Sequence, residues 1–351
     1  MTLVVKPEIL ASVSAGLCLF FLVGCGSEVE PGLQKISGET MGTYYRVTVL
    51  ALPPDLDTEQ LTQDIEWRLH NITHLMSTYE PDSEVSRFND SIDTDWFSVS
   101  EETAQVVDAA LAIYHQSGGA FDITVGPLVE LWGFGSKRNN RQIPADNQIE
   151  SALRRTGSQH LEVRHDPPSI KKSRPELQID LSAIAKGYAV DALIKDLTTA
   201  GITDCLVDIG GEMRAIGSKG PDSPWTIAIE SPASGERSIH RVLPLVNQAI
   251  ATSGDYRNYF EDNGQRYSHE IDPRTGRPIT HRLVSTSVLA NDCMTADAWA
   301  TALMIPGPAE SGGLAEKSNL SALLIVNEGE GFIELESPRF ASSFSHSIEA
   351  P

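Results

Sequence analysis

Segments with strand chemistry and segments with helical periodicity follow one another along this chain without a regular strand–helix–strand alternation. That order restricts the fold more than any other feature. A doubly wound parallel sheet needs the alternation; its absence points to α+β, with mixed or antiparallel sheets and helices packed on them. Residues 43–50 (TYYRVTVL) read as a strand from their β-branched and aromatic content. Residues 58–76 read as a helix, because Leu61, Ile65, Leu69, Ile72 and Leu75 or Met76 recur at helical spacing. Ser100 is placed to cap a second helix with Val106, Val107, Ala110, Ile113 and Tyr114 on one face and Gly118 at its end. A strand over 177–181 feeds a helix from about 182 to 200, which stops at Gly201. Strands 205–209 and 213–216 flank the turn Gly210-Gly211, and further strands are expected at 225–230 and 284–290. A last helix runs from Thr295 to Ile305 and is closed by Pro306. The sequence contains no internal repeat and no low-complexity tract.

The start of the chain has a different character. Lys6 precedes an apolar run over residues 9–23, which leads into Leu22-Val23-Gly24-Cys25. The run has 15 residues, too few for an ordinary membrane-spanning helix and suited to the core of a signal peptide. Small residues before a cysteine suit a lipoprotein signal peptidase, so Cys25 is the expected lipidation site. The expected organisation is a signal peptide over 1–24, a lipidated tether over 25–34 and a folded domain over 35–345. The position after the cysteine is Gly26 rather than an Asp that would favour retention at the inner membrane. The expected location is therefore the cell envelope, on the periplasmic side of the cytoplasmic membrane or the inner leaflet of the outer membrane.

The 351 residues suffice for one large domain or two ordinary ones. A formal net charge of −21 repels phosphate backbones, which argues against nucleic acid as a partner. An anionic ligand would need local positive help from a metal or a helix N-terminus. Once Cys18 and Cys25 are set aside, Cys205 and Cys293 remain, without CxxC or His/Cys metal spacing. They could form a disulfide in an oxidising compartment, although their apolar surroundings suit two separate buried thiols better.

Three segments can carry chemistry. Asp297 and Thr301 are four residues apart, so on a helix their oxygens share a face. A carboxylate, a hydroxyl and a carbonyl or water make a hard-oxygen set suited to Mg²⁺, though taken alone such a pair is usually an ordinary solvated face. In the second segment, Ile179-Asp180-Leu181-Ser182-Ala183-Ile184-Ala185-Lys186-Gly187, the helix start offers free N–H groups to phosphate, and Lys186 adds a charge. It is not a P-loop, and an αβ corner with a surface lysine would look the same. The third segment joins Thr252-Ser253-Gly254 to a polar turn holding His269 and Asp272, both candidates for proton transfer. No nucleophile elbow is present to make Ser253 a hydrolase serine.

Together these segments resemble the ApbE family of flavin transferases. The matching stretches are MGTYYRV (41–47), MSTYEPDSEVSRFN (76–89), GGAFDITVGPLVELWGFG (118–135), IDLSAIAKGYAVD (179–191), LVDIGGEMRAIG (206–217), AIATSGDYRNYF (249–260), YSHEIDPRTGRPI (267–279) and DCMTADAWATAL (292–303). They occur in the family's order and span most of the chain beyond the apolar start. The resemblance implies a T-fold-like architecture. It implies that Met41, Tyr79, Ala120, Phe121, Asp122, Asp180, Lys186 and Ile271 line a site for FAD. It implies that Ala183, through its backbone oxygen, joins Asp297 and Thr301 around Mg²⁺, and that His269 helps deprotonate an acceptor hydroxyl. One departure is Glu270, where the family usually carries an apolar residue.

The implied reaction moves FMN from FAD to a Thr or Ser hydroxyl of an acceptor protein and releases AMP. FAD is then a substrate, Mg²⁺ the cofactor, and His269 and Asp297 the catalytic side chains. The family further suggests acceptors among subunits of Na⁺-pumping NADH:quinone reductase or Rnf-type complexes. Two other readings use the same residues: an FAD pyrophosphatase, with water in place of the acceptor, and a flavin-binding lipoprotein without chemistry. The presence of both Asp297 and Thr301 argues against the last, since a binder needs no metal.

Overall fold

Eight of the β-rich segments pair into one sheet in which every strand lies beside its neighbours in the chain. The strands are β1 Gln34–Thr40, β2 Thr43–Val49, β3 Cys205–Ile209, β4 Glu212–Ile216, β5 Ala249–Gly254, β6 Leu283–Ala290, β7 Ser321–Asn327 and β8 Phe332–Glu336. Each adjacent pair is antiparallel, from Gln34 opposite Val49 at one edge to Asn327 opposite Phe332 at the other. The α+β class is thus realised as an antiparallel meander, whose connections carry everything else. The computed structural model describes residues 33–135, 141–220, 223–233, 238–256, 258–329 and 331–344. Residues 1–32, on which the expected signal peptide and Cys25 fall, lie outside the described residues. Gln34, assigned to the tether by the sequence, already belongs to β1. The last described residue is Phe344. No helix among the described residues is long and apolar enough to cross a membrane.

The connection between β2 and β3 holds most of the helices: α1 Thr58–Met76, α2 Glu84–Asp90, α3 Glu101–Gln116, α4 Gly126–Leu131, α5 Asp146–Leu153 and α6 Ala185–Thr199. Helices α7 Cys293–Met304 and α8 Pro308–Lys317 join β6 to β7, and α9 Pro338–Phe344 follows β8. The apolar stripe of α1 and the inward faces of α3, α6 and α7 share one core with Val47, Val207, Ala251 and Leu324 of the sheet. Residues of alternate register, among them Ile250, Leu323 and Ile325, form a second core with Phe340 and the hairpin Trp225–Glu230/Ile239–Leu245. Both sheet faces are therefore covered. That explains why β7 is buried along its length except at Asn327 and reads as an unbroken apolar run rather than an alternating one.

One expected strand is not a strand. Residues 177–181 are extended but pair with no β-strand. The Asn89 amide takes both backbone groups of Ile179, each at 2.8 Å, and Asp180 N–H donates to the Ile123 carbonyl at 2.7 Å. A segment whose N–H and C=O groups are met this way needs no sheet partner. The helix after it begins at Ala185 rather than Ser182, because Ile184 has φ −148° and ψ −26°.

Lys172 is fully buried at the end of the strand Pro168–Lys172. Its Nζ donates to the carbonyls of Phe88 (3.0 Å) and Leu177 (2.9 Å), and it lies over the Phe88 ring. It thereby fixes α2 against the extended segment that leads to Asp180. Lys172→Met keeps the stem but leaves two buried carbonyls unpaired, and is expected to lower stability by roughly 1–3 kcal/mol. Denaturant melts of the two proteins measure this; equal midpoints would show that the contacts are dispensable.

Candidate active site

The connections of the sheet converge on one cavity of about 660 Å³. Its wall takes Tyr79, Ala120, Phe121, Asp122, Asp180, Ala183 and Lys186 from the β2–β3 connection, Glu212 from β4, Ser253 from β5, His269, Glu270 and Ile271 from the β5–β6 connection, and Asp297 and Thr301 from α7. Segments far apart in sequence are thus brought together. Met41 is the exception: it does not line this cavity. It occupies the β1–β2 turn at φ +48°, partly buried against the main core.

The centre of the site is the contact of α6 with α7. In a continuous helix the Gly187 N–H would donate to the Ala183 carbonyl. It donates instead to Asp297 Oδ2 at 3.0 Å. The diversion follows from the interrupted start of α6, where Asp180 Oδ1 accepts from both the N–H and the hydroxyl of Ser182. The Ala183 carbonyl is left at the cavity wall without that helical donor. Asp297 is only 3% exposed, so its face of the helix is not solvated. One turn on, Thr301 Oγ1 lies 3.1 Å from Ser253 Oγ.

Lys186 Nζ sits between two carboxylates, 3.1 Å from Glu212 Oε1 and 3.5 Å from Asp297 Oδ1. Burial would lower its pKa, but Asp297 and Glu212 outweigh that and raise it, so it remains a fixed cation. Burial pushes the Glu212 carboxyl up to about 7 against the opposing pull of Lys186. Glu212 Oε2 is buried with no hydrogen-bond partner among the described residues. The motif reading quoted Glu212 without giving it a role. The one signal it left was a carboxylate placed directly after the Gly210-Gly211 turn, at φ +66° and +110°.

Asp122 is committed to the protein itself. Its Oδ1 accepts from Thr124 N (2.8 Å), Thr124 Oγ1 (2.6 Å) and Ser158 Oγ (2.7 Å). It shapes the 120–124 loop, of which residues 120–123 line the cavity. Tyr79 also lines the cavity and is 68% exposed. Across the cavity His269 is held by its backbone N–H, which donates to the Asn258 carbonyl at 3.1 Å. Asp272, the other proton-transfer candidate, instead binds Arg274 through both carboxylate oxygens at 2.9 Å. Cys205 and Cys293 are both buried and free. Burial pushes both thiols up, that of Cys205 to about 12, so neither is a nucleophile at neutral pH.

The scaffold is thus an antiparallel α+β fold whose cavity is lined by Lys186 with its partners Glu212 and Asp297 and by His269. The ApbE family pattern matches residues 41–324, and the chain belongs to that family. It is 43% identical to the FAD:protein FMN transferase of Vibrio cholerae over 322 residues, covering 92% of this chain and 95% of the relative. The Escherichia coli K12 protein of the same name is 39% identical over 333 residues, covering 92% and 94%. Among solved structures, the flavin transferase ApbE from Vibrio cholerae superposes with a TM-score of 0.81 at 41% identity, covering 88% of this chain and 98% of that one. The apo flavinyl transferase ApbE of Pseudomonas stutzeri gives 0.80 at 38% identity, covering 88% and 96%.

A Cβ at Gly187 would lie 2.3 Å from the Cys293 carbonyl oxygen and 2.8 Å from Asp297 Cβ. Gly187→Ala is therefore expected to force α6 from α7 and cost roughly 1–3 kcal/mol of stability. An unchanged thermal melt would show that the two helices can separate without loss.

Proposed function

We propose that this chain transfers FMN from FAD to a threonine or serine hydroxyl of an acceptor protein. The observation that carries the reading is the convergence of Ala183, Lys186, His269, Asp297 and Thr301 on one cavity, in a chain whose full-length relatives are named FAD:protein FMN transferases. Tyr79, an aromatic side chain at the cavity wall, would stack on an aromatic part of FAD, and Ala120, Phe121 and Asp122 line the same cavity. Lys186 is a cation at the cavity wall, paired with Glu212 and Asp297.

The residues fit Mg²⁺. The Ala183 carbonyl is free of its helical donor, Asp297 supplies a buried carboxylate and Thr301 a hydroxyl, all hard oxygens facing one space. Mg²⁺ held there would neutralise pyrophosphate charge and orient the bond to be broken. In the transfer, the acceptor oxygen attacks the flavin-side phosphorus as the bond to the AMP oxygen breaks. The hydroxyl proton passes to His269 and AMP leaves. A phosphoester joins FMN to the acceptor, and the flavin undergoes no redox change. Membrane subunits of respiratory Na⁺-pumping or Rnf-type complexes are the proposed acceptors. The proposed setting is the outer side of the cytoplasmic membrane or the inner leaflet of the outer membrane, with the protein anchored by lipid on Cys25.

Incubation with FAD, Mg²⁺ and an acceptor domain is expected to raise the acceptor's mass by one FMN less water. Unmodified acceptor beside free FMN and AMP would favour hydrolysis, and intact FAD would favour binding alone. Asp297→Asn keeps the shape and removes the charge; it is expected to lose at least about a hundredfold in transfer rate. Parental activity of that variant at ordinary Mg²⁺ would exclude Asp297 as a ligand. Cys25→Ser is expected to abolish lipid labelling of the full chain in cells, and persistent labelling would contradict the anchor.

A further inference from the structure

Threonines within the helices of this protein share a habit. Thr62, Thr73, Thr198 and Thr199 each donate the hydroxyl proton to the carbonyl four residues back, at 2.7–2.8 Å. Thr301 of α7 departs from it. Its hydroxyl meets a side chain of the sheet instead, Ser253 of β5, with the two oxygens 3.1 Å apart. Both residues line the cavity.

The pair is held from the sheet. Ser253 stands directly opposite Thr286 of β6, so the two side chains share a face. Thr286 is buried, and its Oγ1 donates to the Ala300 carbonyl at 2.6 Å. Facing residues of two neighbouring strands therefore grip consecutive residues of α7. One turn earlier in α7, Asp297 is held by the Gly187 N–H. Each side chain of the proposed cation site is thus tied to a partner outside its own helix.

The direction of the Ser253–Thr301 bond decides what Thr301 can do. A threonine that lends a lone pair to a cation keeps its proton, and the cation makes that proton a stronger donor, which needs an acceptor. Ser253 Oγ is within hydrogen-bond distance to be that acceptor. In the opposite direction Ser253 would donate and occupy a Thr301 lone pair, in competition with the cation. We propose that Ser253 is a positioning residue for the cation site: its Oγ accepts the Thr301 proton and leaves the Thr301 lone pairs free for the metal. The inference rests on the reading of Thr301 as a Mg²⁺ ligand. It gives the Thr252-Ser253-Gly254 segment a part that is not that of a hydrolase nucleophile.

The experiment removes the acceptor with Ser253→Ala and keeps it with Ser253→Thr, each in the parent and in Thr301→Val, which has the shape of threonine without the hydroxyl. Binding of Mn²⁺ to the FAD-free protein is followed by EPR, and the Mg²⁺ dependence of transfer is measured beside it. Ser253→Ala is expected to weaken Mn²⁺ binding and raise the Mg²⁺ half-saturation roughly tenfold, the lower end of what losing a partner of a metal ligand costs. Transfer at saturating Mg²⁺ should return close to the parental rate, a split that damage to the fold would not produce. Ser253→Thr should bind Mn²⁺ much as the parent does. In Thr301→Val, Ser253→Ala should bring no further loss. Unchanged Mn²⁺ affinity in Ser253→Ala, or an equal further loss in the Thr301→Val background, would overturn the inference; the latter would make Ser253 act on the metal independently of Thr301. A parent that binds no Mn²⁺ would overturn the cation site and this inference with it. A parent that binds Mn²⁺ with the expected coupling but modifies no acceptor would overturn the transfer reading alone.

Discussion

The hydrogen bond from Gly187 N–H to Asp297 Oδ2 is the constraint on which the rest of the site depends. It exists because α6 and α7 cross with no side chain between them at Gly187. It withdraws from the Ala183 carbonyl the donor that a regular helix would provide, and it aims a buried carboxylate at the same space. The residue before it, Lys186, is carried to within reach of both Asp297 and Glu212. A backbone irregularity of one residue thus places a carbonyl, a carboxylate and a cation together. The sheet contributes by holding β4 and β5 beneath this crossing, with Glu212 and Ser253 at the cavity wall.

The charged side chains at the cavity wall are mostly acidic. Lys186 is the cation within it, against Asp297, Glu212 and the nearby Glu270. A pyrophosphate adds further negative charge, and in a low-dielectric cavity that sum is strongly unfavourable unless a cation enters with the ligand. The Mg²⁺ proposed at Ala183, Asp297 and Thr301 would supply that cation. The acidic balance of the chain, a net charge of −21, extends to the cavity wall.

Elements with strong local signals were legible. The bounds of α1 and the Ser100 cap of α3, where Ser100 Oγ accepts from Thr103 N–H, follow directly from periodicity and capping chemistry. The 177–181 segment was misread because its apolar content has strand character, while its real partners are the amide of Asn89 and the carbonyl of Ile123. Such long-range side-chain pairing leaves no periodic trace. β7 escaped for a related reason: burial on both faces removes the alternation that marks a strand. Of the site, the motif order brought most lining residues to attention, but not Met41's place outside the cavity or the part played by Glu212. Both depend on how strands pack around the β3–β4 and β1–β2 turns, which spacing along the chain does not encode.

The central claim is that the flavin-side phosphorus of FAD becomes bonded to an acceptor protein in this cavity. FAD labelled with ³²P at that phosphorus tests it most directly, with Mg²⁺ and the acceptor present and the acceptor recovered under denaturing conditions. The account predicts that the label migrates with the denatured acceptor, in amounts equal to the AMP released. Label found only in free FMN, with the acceptor unlabelled, would contradict it.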